Sequence, residues 1–209
     1  AEVVVVGGVR RSALISLSDL GDPEIRDCKS GRWWETTAHR ALANNSAVYD
    51  SKPSMAVFMD EWTALMKSGS GERGIYNRGG ARSMAPKRRD GDRIVGCNPC
   101  AEIQLRNGQL CNLTEVVARQ GDTEEDLLRK VRLAAILGTL QASLTSFNYV
   151  RKLWQTNCED EALLGVSLTG IQDCELLQNP DPMLLSEMKQ EAIDANTNYA
   201  NKLGIKEAT

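Results

Sequence analysis

The chain has 209 residues, 42% of them apolar and 25% charged, with a formal net charge of −3. That length suffices for one domain with a real core, or for a piece of a larger protein. The composition is that of a soluble, cytoplasmic globular chain; its net charge excludes a general polyanion binder, and no apolar run approaches the ~20 residues that span a bilayer, so neither nucleic acid nor membrane is an expected partner.

The first element is "EVVVV" (2–6), which has strand composition and stops at Gly7-Gly8. A second apolar segment, "VRRSALISLSDLGD" (9–22), follows and ends in turn residues. Pro23 to Lys29 can form a short helix with Asp22 as N-cap and Pro23 at the first helical position. Ala41 to Tyr49 reads as a strand. Pro53 to Lys67 reads as a helix whose Phe58, Trp62, Leu65 and Met66 share one face, and "SGSGERG" ends it.

From Arg73 to Arg93 seven Arg or Lys stand against two Asp. Such a run is either a nucleic-acid patch or a solvated, mobile loop, and one aromatic among abundant glycines favours the loop. "RIVGCNPCAEIQL" (93–105) reads as extended, and "GQLCNLTEVV" (108–117) as a turn and a strand. Thr123 to about Leu144 is the longest helix, with Thr123 and Asp126 spaced as a capping box. "LLGVSLTGIQD" (163–173) reads as strand, glycine turn and helix start. A last helix from Pro182 to Leu203 puts Met188, Ala192, Ala195 and Tyr199 on one face and stops at Gly204. Strands alternating with helices imply an α/β fold.

The six cysteines, at 28, 97, 100, 111, 158 and 174, are too few for a chain this long to be a disulfide-stapled scaffold. "CNPCAE" (97–102) admits three readings. A structural zinc site on Cys97, Cys100 and Cys111 lacks its second knuckle, and the only histidine, His39, is far off in sequence. A thioredoxin-like dithiol needs a helix after the pair, and "AEIQLRNG" continues a helix poorly. The third reading is extended backbone: Pro99 pushes Asn98 out of the helical region, so that Asn98, Cys100 and Glu102 alternate onto one face. An amide, a thiol and a carboxyl then meet one substrate; the bland alternative is an accidental polar strand face.

"GCNPCAEIQLRNGQLCNLTEV" resembles the active-site loop of ribonucleotide reductases, specifically the adenosylcobalamin-dependent class II, monomeric ribonucleoside-triphosphate type. "GGVRRSALISL" (7–17), "ANNSAV" (43–48), "GIYN" (74–77), "GVSLTGIQD" (165–173) and "NYANKLG" (198–204) resemble further landmarks of that family, in its order. The resemblance implies a ten-stranded α/β barrel threaded by a central finger loop, here about 93–106. It implies that Cys100 carries a thiyl radical, that Glu102 is general base, that Asn98 holds the sugar hydroxyls and that Cys111 is half of a redox pair. Gly7, Gly8, Arg10 and Arg11 resemble the loop that relays effector identity to the substrate base. No role is carried over to "NNS" (44–46), nor a function to 73–93.

The implied cofactor is adenosylcobalamin, and the implied partners are a ribonucleoside triphosphate substrate, a dNTP or ATP effector and a thioredoxin-like reductant. The partner of Cys111, the phosphate-binding segment and the C-terminal cysteines of the family are absent from this sequence, while Cys28, Cys158 and Cys174 read as buried small residues. The chain is therefore expected to be a central fragment, inactive alone and completed by the missing remainder of the reductase. A class I reductase chain and a non-catalytic zinc- or thiol-binding fragment are the alternatives.

Overall fold

The computed structural model describes residues 13–208, which form two compact units, one up to Asn107 and one from Gly108 on. The strand expected at 2–6 and the loop residues Gly7, Gly8, Arg10 and Arg11 lie outside the described residues. Helices and sheets intermix in both units, so the protein is α/β.

In the first unit β1 (Ile15–Asp19), β2 (Asn44–Val48) and β3 (Gly74–Tyr76) form a parallel sheet in that order. Between β1 and β2 lie α1 (Pro23–Arg26) and α2 (Trp33–Thr36). Asp22 caps α1 as its sequence requires, its carboxylate accepting from the amides of Glu24 and Ile25, though α1 ends one turn in. The crossover to β3 is α3 (Met55–Ser68), capped by Ser54 and closed by Gly69 in the left-handed region.

The expected apolar face of α3 is only partly covered. Phe58 and Leu65 are half-buried while Trp62 and Met66 are exposed, and the one buried residue of the helix is Glu61. Glu61 is buried because Arg73, just ahead of β3, reaches it with two nitrogens, at 2.9 and 3.0 Å. The same guanidinium donates to Ser18 Oγ and to the carbonyls of Asp19 and Leu20 at the end of β1. One planar fork thus ties the crossover helix to two strands.

The segment 73–93, expected as a solvated loop, carries regular structure. It contains β3, the helix α4 (Arg78–Ser83) and a 3₁₀ turn at Gly91–Arg93. Gly79 lets α4 begin against the end of β2: a Cβ there would lie 2.2 Å from the carbonyl oxygen of Asp50. Arg78, Arg82 and Arg89 fold in because acceptors await them, Asp50 for Arg78 and the carbonyls of Ile94 and Gln104 for Arg82 and Arg89. After it comes a two-stranded antiparallel hairpin, β4 (Gly96–Cys97) with β5 (Gln104–Leu105).

In the second unit β6 (Asn112–Val117) runs parallel to β7 (Leu164–Thr169). Their crossover holds α5 (Glu124–Ala142), opened by the Thr123–Asp126 capping box, and α6 (Lys152–Glu161), which periodicity did not reveal. After α7 (Glu175–Gln178) comes α8 (Pro182–Leu203), with Asp181 as N-cap and Gly204 as stop; at 22 residues it is longer than the 19 of α5. The core joins Val116 of β6 to Leu127, Val131 and Ala134 of α5 and to Leu184 and Met188 of α8. Gly138 admits Leu164 to the helix surface, since a Cβ there would meet Leu164 Cδ1 at 2.0 Å.

Removing Arg73 leaves the Glu61 carboxylate buried with only the more distant Arg26, 3.7 Å away, so Arg73→Met is expected to lower stability by about 3 kcal/mol in urea unfolding followed by tryptophan fluorescence. Glu61→Leu combined with Arg73→Met should restore most of that loss, because no charge then stays buried.

Candidate active-site hairpin

The residues singled out in "CNPCAE" sit at the tip of the β4–β5 hairpin, but not in an extended run. The amide of Ala101 donates to the carbonyl of Asn98 at 2.9 Å, closing a β-turn over Pro99 and Cys100, and Ala101 has φ 67°. The expected alternation of Asn98, Cys100 and Glu102 along a strand is therefore corrected. Proline restrains the residue before it, not the residues after it. Asn98 decides the rest: its side-chain Oδ1 accepts from the backbone N–H of Ile103 at 2.9 Å, while its backbone N–H donates to the Ile103 carbonyl at 3.2 Å. An asparagine that binds backbone across a loop closes it.

The turn leaves Cys100 and Glu102 exposed at the tip and Asn98 half-buried at its neck. Cys97 is half-buried; burial pushes its thiol up from the ordinary range, and the Glu102 carboxylate adds to that rise. Glu102 thus acts electrostatically on Cys97. Cys111 lies in the second unit, half-buried just ahead of β6. Cys158 and Cys174 are buried, whereas Cys28 is half-buried and accepts from Asn45 Nδ2 at 3.0 Å. No disulfide joins any of the six cysteines, and among the described residues no group of three or more His, Cys, Asp or Glu is placed to hold a metal ion.

The supports of the hairpin were not visible as functional residues. Tyr76, at the end of β3 and 4% exposed, places its hydroxyl 2.6 Å from Gln104 Oε1 and 3.1 Å from the carbonyl oxygen of Gly96. Burial pushes the phenol up, and Cys97 adds to this against Arg78, Arg82 and Arg89, so the hydroxyl keeps its proton. Gln104 Nε2 donates to the carbonyl of Ala101 at 3.1 Å. Arg78 grips both Asp50 oxygens at 2.7 Å, holding that carboxyl below its usual range, and donates to Val95. Arg82 donates to Ile94 and Arg89 to Gln104. Asn44 Nδ2 makes a long contact, 3.5 Å, with the carbonyl oxygen of Pro99. The one available signal was the basic run itself, met by backbone carbonyls that sequence does not display.

With this geometry in view, comparison with known proteins gives the class first: over most of its length the chain is a relative of ribonucleotide reductases, by sequence a counterpart of one segment of them. More particularly, it is 32% identical to the adenosylcobalamin-dependent ribonucleoside-triphosphate reductase of Levilactobacillus brevis, over 82% of this chain and 23% of that enzyme. The reductases of the same name from Lacticaseibacillus paracasei and Lactobacillus leichmannii are 31% and 29% identical, with the same coverage. The chain thus spans about a quarter of the length of the curated relatives it matches. No family model matches it. Among the described residues no helix is long and apolar enough to cross a membrane.

Exposure and burial give the hairpin thiols different reactivity. Iodoacetamide at mildly alkaline pH should alkylate Cys100 ahead of Cys97, read by peptide mass spectrometry. Glu102→Gln should speed the Cys97 reaction by about threefold, because losing the nearby negative charge lowers that thiol's pKa.

Proposed function

We propose that this chain supplies the radical hairpin of a ribonucleoside-triphosphate reductase, which converts ribonucleoside triphosphates to 2′-deoxyribonucleoside triphosphates. The observation that carries the reading is an exposed thiol at the apex of a braced turn, within a sequence related to those reductases over 82% of its length. Cys100, as a thiyl, takes the hydrogen atom from C3′, forming S–H and leaving the unpaired electron on carbon. Glu102 accepts the 3′-hydroxyl proton while the 2′-hydroxyl takes a proton from one thiol of the redox pair and departs as water; the other thiol proton goes to C2′, and Glu102 returns its own to the 3′ oxygen. Cys111 and a second thiol supply two electrons and two protons and end as a disulfide, and Cys100 returns its hydrogen to C3′. Asn98, with Oδ1 engaged in the loop, offers Nδ2 to a sugar hydroxyl.

Parallel strands joined through helices support the ten-stranded α/β barrel, with about 93–106 as its finger. Gly7, Gly8, Arg10 and Arg11, just ahead of β1 in sequence, are proposed to relay a dNTP or ATP effector, and a thioredoxin-like protein to reduce the disulfide. The relatives' name carries adenosylcobalamin dependence. The two cavities described, about 440 Å³ beside Arg119 and Asp173 and about 340 Å³ beside Cys28 and His39, do not fit a corrinoid with its nucleoside. The cofactor is therefore proposed as a partner of the complete reductase, and no residue here is assigned to hold it.

In a full-length reductase carrying this segment, Cys100→Ser is expected to abolish deoxynucleotide formation, measured by chromatography of the nucleotides. Cys97→Ser should keep at least about a tenth of it, because its thiol takes no part in the hydrogen transfer. Turnover by Cys100→Ser, or equal loss in both variants, contradicts the reading.

A further inference from the structure

We infer that Tyr76 is a positioning residue for the hairpin tip, acting through Gln104 to fix the turn that presents Cys100. The inference rests on the reading of Cys100 given above, but its physical basis is separate from it. Tyr76 is buried at the end of β3, so its ring is anchored in the parallel sheet while its hydroxyl points to the neck of the hairpin. There it meets Gln104 Oε1 at 2.6 Å and the Gly96 carbonyl at 3.1 Å, one atom on each hairpin strand. A primary amide has two ends, and Gln104 uses both: with Oε1 held by Tyr76, Nε2 is aimed at the Ala101 carbonyl, 3.1 Å away.

Ala101 is the residue after Cys100, the last of the turn, and leaves it in the left-handed region at φ 67°. A non-glycine residue stays in that region only where its surroundings hold it there. The two strands of the hairpin pair over only two residues each, too little to fix a tip unaided. A side-chain relay running Tyr76–Gln104–Ala101 supplies the missing constraint, and a thiol that must meet one hydrogen atom of a sugar is sensitive to its loss.

Two variants test this. Tyr76→Phe keeps the buried ring and removes the hydroxyl. Gln104→Glu keeps an acceptor for Tyr76 and removes the donor to Ala101. In each, amide hydrogen exchange at Ala101 and Ile103 should accelerate by about tenfold while Val116 and Ala135 in the second unit stay unchanged. The double variant should be no worse than either single one, as expected of groups acting in series. In the full-length reductase both variants should lower kcat by about tenfold with KM unchanged. Unchanged exchange at Ala101 and Ile103, additive effects, or a loosened tip with normal kcat would each overturn the inference; if Tyr76→Phe does not fold, Gln104→Glu carries the test alone. Turnover by Cys100→Ser would instead overturn the reading of Cys100, leaving the exchange result to stand or fall by itself.

Discussion

A short hairpin has more backbone carbonyls than partners, and the first unit is organised around satisfying them. β4 and β5 pair over two residues each, so the carbonyls of Ile94, Val95, Gly96 and Gln104 must find donors elsewhere. They find them in Arg82, Arg78, Tyr76 and Arg89, all contributed by one stretch of chain, 76–89. Buried carbonyls without donors carry a cost of about 1–3 kcal/mol each. The stretch that looked like surplus charge is the frame of the loop that bears Cys100.

That frame stands on the Glu61–Arg73 pair. Arg73 precedes β3 and Tyr76 ends it, so the strand that carries the tyrosine is held at its start by a guanidinium bound to α3 and to the end of β1. A buried ion pair is no guarantee of net stability, because desolvation offsets much of the attraction. Its value here is register: five hydrogen bonds from one side chain leave β3 a single place to lie. The path from sheet to thiol is then continuous, from Arg73 through Tyr76 and Gln104 to Ala101.

Local signals were legible wherever one residue's chemistry decides the outcome. Asp22, Thr123 and Gly204 mark helix ends at the positions the structure shows, because a cap needs only its own neighbours. The tip was misread because Pro99, read for its hold on Asn98, equally suits the second position of a β-turn. The loop is then closed by Asn98, whose carbonyl accepts from Ala101 and whose Oδ1 accepts from Ile103, five residues on. Helix α6 escaped notice because two of its three buried positions are Asn157 and Glu161, with Cys158 between them. Polar residues paired in the interior erase the periodicity that would reveal a helix; Glu161 meets Gln109 at 2.5 Å. The reverse holds for α3, where two residues of the apolar face made on paper, Trp62 and Met66, stand exposed in the fold. The reductase resemblance was carried by short quoted motifs, and it survived the loss of the extended-strand geometry on which the three side chains were first grouped.

Ala101 bears on how the tip behaves when disturbed. Glycine adopts a left-handed backbone freely and would let the loop drift among neighbouring shapes, whereas alanine there sits against its own torsional preference. The apex therefore works as a spring catch: secure while its fastenings hold, and quick to let go of its shape once they are undone.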